Sequence, residues 1–335
     1  MKIVMVFIFL IFSLEAKDYT QEKEVKQFIK TLVKEYKMDK DRLYTLFSDI
    51  EVYKSPLRLF RPHPKKKRTP QEIKRLKELY PLHGAWDRYS RFKVNPSRVK
   101  QGVAFIKKHQ KVFDTVEKRF GVPKEYIAAI IGIETVYGGN VGSYLVFDNL
   151  TTLAFEKNRR NKFFKYELKN FIRLAQKDKF DIRSVKGSYA GAIGLGQFMP
   201  SNYDAYGVDY DGDGRIILHQ PEDAIASVAN YFKKNGWRTG ELVATRVKYK
   251  GNRFHAYKTG YDKTYNRKQL KGIKPEKKWD YQDKVRLIKL DRKAYDELWY
   301  GAKNFFVITR YNHSGHYAMS VHQLAVKIKK KLDEN

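Results

Sequence analysis

Ile127-Ala-Ala-Ile-Ile-Gly-Ile-Glu-Thr-Val-Tyr-Gly-Gly139 carries an apolar run that ends on a single carboxyl, Glu134, and then on two glycines. Burial disfavours the charged form, so a carboxyl in this setting keeps its proton to higher pH and can serve as a general acid. The same setting suits a buried glutamate paired with an arginine or bonded to neighbouring backbone, and this segment alone does not choose between them.

Working upstream, Pro123 begins the helix that delivers Glu134, and Asn95-Pro96 and Thr69-Pro70 are earlier start signals, a capping side chain followed by proline at the first helical position. Val99, Val103, Ile106, Phe113, Val116 and Phe120 keep helical spacing until Gly121. Residues 21–50 also read as helical, with Val25, Phe28, Ile29, Leu32, Val33 and Tyr36 on one face. Downstream, residues 148–177 read as two helices joined near Asn158-Arg-Arg-Asn161. Between 240 and 290 the texture changes: Val243, Thr245, Val247 and Tyr249 alternate, and Gly251 and Gly260 punctuate, which predicts a small β-containing insertion. Helical patterning resumes from Ala294, and Val321, Leu324, Ala325 and Ile328 make a closing amphipathic helix. The fold class is mainly α.

At the N-terminus, Lys2 precedes the apolar run Ile3 to Phe12, and Ser13-Leu-Glu-Ala16 follows, which reads as a secretory signal with cleavage after Ala16. The chain has no cysteine, hence no disulfide, thiolate metal site or lipid-bearing cysteine. An exported, soluble, periplasmic, wall-associated protein is therefore expected. The formal net charge is +31, and Lys2 and Glu15 cancel within the signal, so the excess belongs to the rest. Export turns that charge away from nucleic acid and toward an anionic envelope surface.

A second informative segment is Gly187-Ser-Tyr-Ala-Gly-Ala-Ile-Gly-Leu-Gly-Gln-Phe-Met-Pro-Ser201. Its small residues let a polymer approach backbone donors and acceptors, and Ser188 and Gln197 offer hydrogen bonds. Tight packing between helices explains the glycines equally well. The eight histidines make no HExxH or other zinc spacing, so a metalloenzyme reading finds no support.

Taken together, Glu134-Thr-Val-Tyr-Gly138, Ser188 to Ser201, Asp223-Ala-Ile-Ala-Ser-Val-Ala-Asn-Tyr231, Gly236-Trp237, Asn304 to Ser314 and Tyr317 to His322 closely resemble the membrane-bound lytic transglycosylase B family. The resemblance runs in order from about Trp86 to His322. It implies a lysozyme-like core at 86–238 plus 295–332, behind an N-terminal helical region at 17–85, with the insertion at 239–294. It implies cleavage of the β-1,4 bond between N-acetylmuramic acid and N-acetylglucosamine in peptidoglycan without water, leaving 1,6-anhydro ends. Glu134 matches the single catalytic residue, acid and then base, with a pKa raised as in other carboxyls in apolar pockets. An ordinary glycosidase uses two carboxyls; here the C6 hydroxyl of the sugar replaces water and nucleophile.

By motif position, Ser188, Gln197, Tyr231, Tyr311, Asn312 and Tyr317 resemble sugar-contacting residues, and Tyr89 matches an aromatic subsite. Arg159 and Arg160 match paired arginines that could hold a carboxylate of the stem peptide or lactyl group, although a solvated helix end explains them too. No cofactor is required for the chemistry. Asp209-Tyr-Asp-Gly-Asp-Gly-Arg215 has the first half of a calcium loop of the EF-hand type, while its twelfth position is Gln220. The resemblance makes Asp209, Asp211, Asp213, the Arg215 carbonyl and Asp223 the ligands of a structural calcium or sodium; an Asp/Gly-rich turn is the alternative. Two rivals use the same residues, a hydrolytic goose-type lysozyme and a non-catalytic peptidoglycan-binding protein.

Overall fold

A computed structural model describes residues 16–62, 68–79, 84–251 and 253–334. All but the last residue of the expected signal, and Lys65 to Lys67 of the basic cluster, lie outside the described residues. In chain order the helices are α1 (Lys23–Tyr36), α2 (Lys40–Phe47), α3 (Lys54–Phe60), α4 (Pro70–Leu79), α5 (Ala85–Lys93), α6 (Pro96–Lys108), α7 (Gln110–Phe120), α8 (Lys124–Thr135), α9 (Val146–Phe155), α10 (Asn161–Asp178), α11 (Tyr203–Tyr206), α12 (Pro221–Lys234), α13 (Lys303–Tyr311) and α14 (Gly315–Asp333). The strands are β1 (Ala16–Lys17), β2 (Ile50–Glu51), β3 (Tyr144–Leu145), β4 (Lys186–Gly187), β5 (Ala244–Lys248), β6 (Lys274–Pro275), β7 (Arg286–Asp291) and β8 (Asp296–Gly301). The architecture is mainly α, as the sequence predicts.

Among the described residues the chain forms two compact units, one within residues 16–62, 142–192 and 199–201 and the other within 68–141, 193–198 and 202–334. In the first, α1, α2, α9 and α10 bury Val25, Ile29, Leu32, Phe47, Phe147, Phe164 and Phe171. Edge-to-face contacts tie this core together: Phe28 meets Phe155 at 5.6 Å between centroids and Phe60 meets Phe164 at 4.8 Å. Two short antiparallel ladders, β1 with β2 and β3 with β4, fasten the loops between helices.

The second unit is built around α8. Every α8 residue from Glu125 to Thr135 is buried except Glu134, so the helix is apolar on all sides and packs against α6, α7, α12 and α14. A four-stranded antiparallel sheet, ordered β6-β5-β8-β7, carries its own core of Val247, Trp279, Leu287, Leu298 and Tyr300. Arg292, just after β7, reaches Asp87 of α5 at 2.9 Å and the buried Glu297 of β8 at 2.9 Å. This fastens α5 to the sheet.

The structure corrects three details. Residues 21–50 are two helices, because Lys37 turns left-handed (φ 55°) and Asp39 caps α2 by accepting from the Arg42 amide at 2.6 Å. The run from Val99 to Phe120 is likewise broken at His109, whose backbone leaves the helical region. Helix also does not resume at Ala294: residues 296–301 form β8, the strand paired on both sides, and α13 starts only at Lys303. Glu-Leu-Trp-Tyr at 297–300 favours a pleated, buried surface, and two neighbours supply its backbone partners.

Candidate active site

Glu134 is the penultimate residue of α8. The chain then reverses through three left-handed residues in succession, Val136 (φ 55°), Tyr137 (φ 59°) and Gly138 (φ 91°). Such a conformation is strained for a β-branched side chain, so the surroundings must impose it. Thr135 does part of this: its hydroxyl donates to the Leu195 carbonyl at 2.9 Å and accepts from the Gly138 amide at 3.1 Å. Tyr137 does the rest by folding back over α8 and donating to the Arg98 carbonyl of α6 at 2.9 Å. Its ring occupies the space a side chain would take at Gly132, where an added Cβ would lie 2.5 Å from the ring carbon bearing the hydroxyl. The glycine inside α8 therefore has a packing reason.

Around the Glu134 carboxyl the structure assembles tyrosines from four helices. Tyr317 of α14 donates to Glu134 Oε1 at 2.6 Å. Tyr311, at the end of α13, lies parallel to Tyr317, with centroids 6.4 Å apart and planes 9° apart, and donates to the Gly196 carbonyl at 2.5 Å. Tyr231 of α12 meets Tyr311 at 4.8 Å and donates to the Arg310 carbonyl at 2.6 Å. Tyr89 of α5 rests against the buried Trp86 and against His316. Burial, and then the charge of Glu134, push the hydroxyls of Tyr89, Tyr311 and Tyr317 up, so each remains a neutral donor. Burial likewise pushes Glu134 above the ordinary carboxyl value, against the Tyr317 hydrogen bond and the charge of Lys93. The carboxyl nonetheless belongs to a residue that keeps partial access to solvent.

Gln197 and Asn312 belong to the same unit. Gln197 takes a left-handed conformation (φ 53°) and donates through Nε2 to the carbonyls of Val141 and Gly194, both at 3.1 Å. Its amide thus shapes the turn between Gly194 and Phe198. Asn312 is exposed between α13 and α14, with extended backbone. The expectations on Ser188, Arg159 and Arg160 fall in the other unit. There Ser188 accepts from the Ala192 amide at 3.1 Å, closing the turn at Gly191. Arg160 lays its guanidinium 4.0 Å from the centre of the Phe163 ring, and both arginines are exposed between α9 and α10.

Sequence reasoning missed Lys93 and Tyr137. Tyr137 stood inside the quoted motif without a role, and its φ, which gives it one, has no sequence signature in a tyrosine. Lys93 is one of 68 basic residues and nothing in its spacing marks it. In the fold it is half-buried, with Nζ 3.0 Å from the Ile133 carbonyl.

Of the expected metal ligands, Asp209, Asp211 and Asp223 converge, their oxygens all within 4.8 Å of one another. Asp223 is buried and its two oxygens accept from the amides of Tyr210 at 2.8 Å and Ile217 at 2.7 Å, which fixes both ends of the loop. Asp213 stands outside this group, and its carboxylate is engaged by the Arg215 guanidinium at 3.0 Å. Two carboxylates from the loop before α12 and one from the first turn of that helix converge, a donor set that fits a hard cation such as calcium. An ion there would brace the loop against α12.

The model of the transglycosylase SLT domain matches residues 20–326. The chain belongs to the transglycosylase SLT family. The transglycosylase is 37% identical over 309 residues to membrane-bound lytic murein transglycosylase B of Escherichia coli K12, covering 92% of this chain and 83% of that one. Its fold matches the lytic transglycosylase Slt35 of E. coli, solved with bulgecin A and with calcium, at a TM-score of 0.84 and 35% identity, covering 96% of this chain and 97% of that one. It also matches soluble SltB1 of Pseudomonas aeruginosa at a TM-score of 0.80 and 38% identity, covering 92% and 99% of the two chains. The transglycosylase is therefore an enzyme of the lytic transglycosylase kind. No helix among its described residues is long and apolar enough to cross a membrane.

Proposed function

We propose that this lytic transglycosylase cuts the β-1,4 bond between N-acetylmuramic acid and N-acetylglucosamine in peptidoglycan, with Glu134 as acid and then base. The observation that carries the reading is the pairing of one protonatable carboxyl with a Tyr317 donor, inside a wall of neutral tyrosines. The charge acting on Glu134 comes from Lys93.

Protonated Glu134 gives its proton to the glycosidic oxygen as the bond from C1 breaks, and the N-acetylglucosamine leaves with a hydroxyl. The Glu134 carboxylate then takes the proton of the muramic acid C6 hydroxyl, whose oxygen closes onto C1. Glu134 ends protonated, no water is consumed and a 1,6-anhydro end remains. Tyr317 holds Oε1, so the other oxygen is the one available for transfer. Tyr89, Tyr231, Tyr311, Gln197 and Asn312 are the proposed sugar contacts of the unit that carries Glu134, and Ser188, Arg159 and Arg160 are proposed substrate contacts of the other unit. Calcium or sodium at Asp209, Asp211 and Asp223 would brace the loop.

The net charge of +31 supports association with an anionic envelope surface, and the reading places the enzyme in the periplasm. The test is digestion of purified sacculi with wild type and Glu134→Gln, the products being weighed by mass spectrometry. Anhydro ends that vanish in the variant are expected; reducing ends would make the enzyme a hydrolase.

A further inference from the structure

We infer that Lys93 is a positioning residue for Glu134, its ammonium fixed on the Ile133 carbonyl so that the carboxylate left after proton transfer faces a positive charge. This rests on the proposed role of Glu134. Lys93 is the last residue of α5, and its Nζ lies 3.0 Å from the Ile133 oxygen, one peptide away from Glu134 itself. That oxygen lies in the last turn of α8, at the negative end of the helix dipole. The ammonium is therefore anchored by geometry, and a half-buried lysine keeps few alternative positions.

The groups around Glu134 leave this cation a distinct task. From α14 comes Tyr317, from α13 Tyr311 and from α5 Tyr89, all neutral donors. Arg98 of α6 lies beside Lys93, hydrogen-bonds the Gly132 carbonyl, and acts on Lys93 rather than on Glu134. α7 and α12 also pack on α8. Burial favours protonated Glu134, the form the first step needs, yet it penalises the carboxylate on which the second step depends. Lys93 offsets that penalty, while the proton given to the glycosidic oxygen and the proton taken from the C6 hydroxyl balance. Removing the cation should make Glu134 a weaker acid, hence slower at its plateau and protonated to higher pH.

Lys93→Met, Lys93→Gln and Lys93→Arg in the full chain separate this role from simple helix capping. The readouts are the pH profile of anhydro-muropeptide release from purified sacculi and the melting temperature. Lys93→Met should move the alkaline limb up by about one pH unit and lower the plateau about tenfold. Lys93→Arg should restore the limb. Lys93→Gln keeps a donor without the charge, so it should behave as Met does if charge matters and as wild type if capping is the whole role. A limb that stays put in both neutral variants, with activity lost equally at every pH or not at all, overturns the inference. Full activity in Glu134→Gln would instead remove the proposed function, a separate result.

Discussion

Tyr317 Oη and Glu134 Oε1 stand 2.6 Å apart, joining the first turn of α14 to the last turn of α8. The bond engages one carboxyl oxygen and stabilises the carboxylate form. Tyr317→Phe removes the donor without removing the ring. A hydrogen bond to a charged group contributes roughly 1.5–3 kcal/mol, so turnover should fall about 10- to 100-fold. The limb set by Glu134 should move to higher pH, because this bond works against the rise caused by burial. An unchanged profile of sacculus digestion against pH would exclude Tyr317 from the proton transfer.

The Glu134 shift also has a stability consequence, with a definite sign. A carboxyl whose folded pKa exceeds its ordinary 4.5 binds its proton more tightly in the native state, so it costs stability as pH rises through that window. Glu134→Gln never carries the charge. The variant should therefore melt higher than wild type at neutral pH, and the gain should shrink to nothing as pH falls below 4.5. Thermal melts between acid and neutral pH measure this directly, and a gain of the same size at every pH would contradict a raised Glu134.

Gly132→Ala places a methyl 2.5 Å from the Tyr137 ring, which the hydrogen bond to Arg98 holds in place. Overpacking of this kind costs about 1–3 kcal/mol, and here it also pushes on the turn that presents Glu134. Denaturant unfolding should show that loss, accompanied by reduced cleavage. Once Tyr137→Ala has removed the ring, the same Gly132→Ala change should cost markedly less, since the clash needs the ring.

For the Asp209, Asp211 and Asp223 loop, chelator should lower the melting temperature and added calcium should restore it. Asp223→Asn should abolish the calcium-dependent part. Cleavage by the folded enzyme at a temperature well below the melt should change little with chelator, because the loop is separate from Glu134. A melt insensitive to both additions would leave an Asp/Gly-rich turn held by its own amides.

Much of this was legible in residue order. Helix starts at Thr69-Pro70 and Asn95-Pro96 carried their own caps, and both appear: Thr69 and Glu72 exchange hydrogen bonds at 2.9 and 3.2 Å, and Asn95 accepts from the Arg98 amide at 2.9 Å. Such caps are local, satisfied within one turn. The alternating stretch near Val243 likewise announced strand. β8 was hidden, because a strand paired on both sides is decided by partners far away in the chain, and its short apolar run fits a helix as well.

The sequence by itself determined that Glu134 ends an apolar helix, since periodicity and composition are local properties, and ordered motifs along the chain pointed to the family. Only the tertiary structure decided what surrounds that carboxyl. Tyr317 lies 183 positions away and reaches Oε1 because α14 packs on α8. Lys93 lies 40 positions from Ile133 and caps its carbonyl because α5 ends there. Proton affinity depends on distance and burial, and neither quantity exists until the chain has folded.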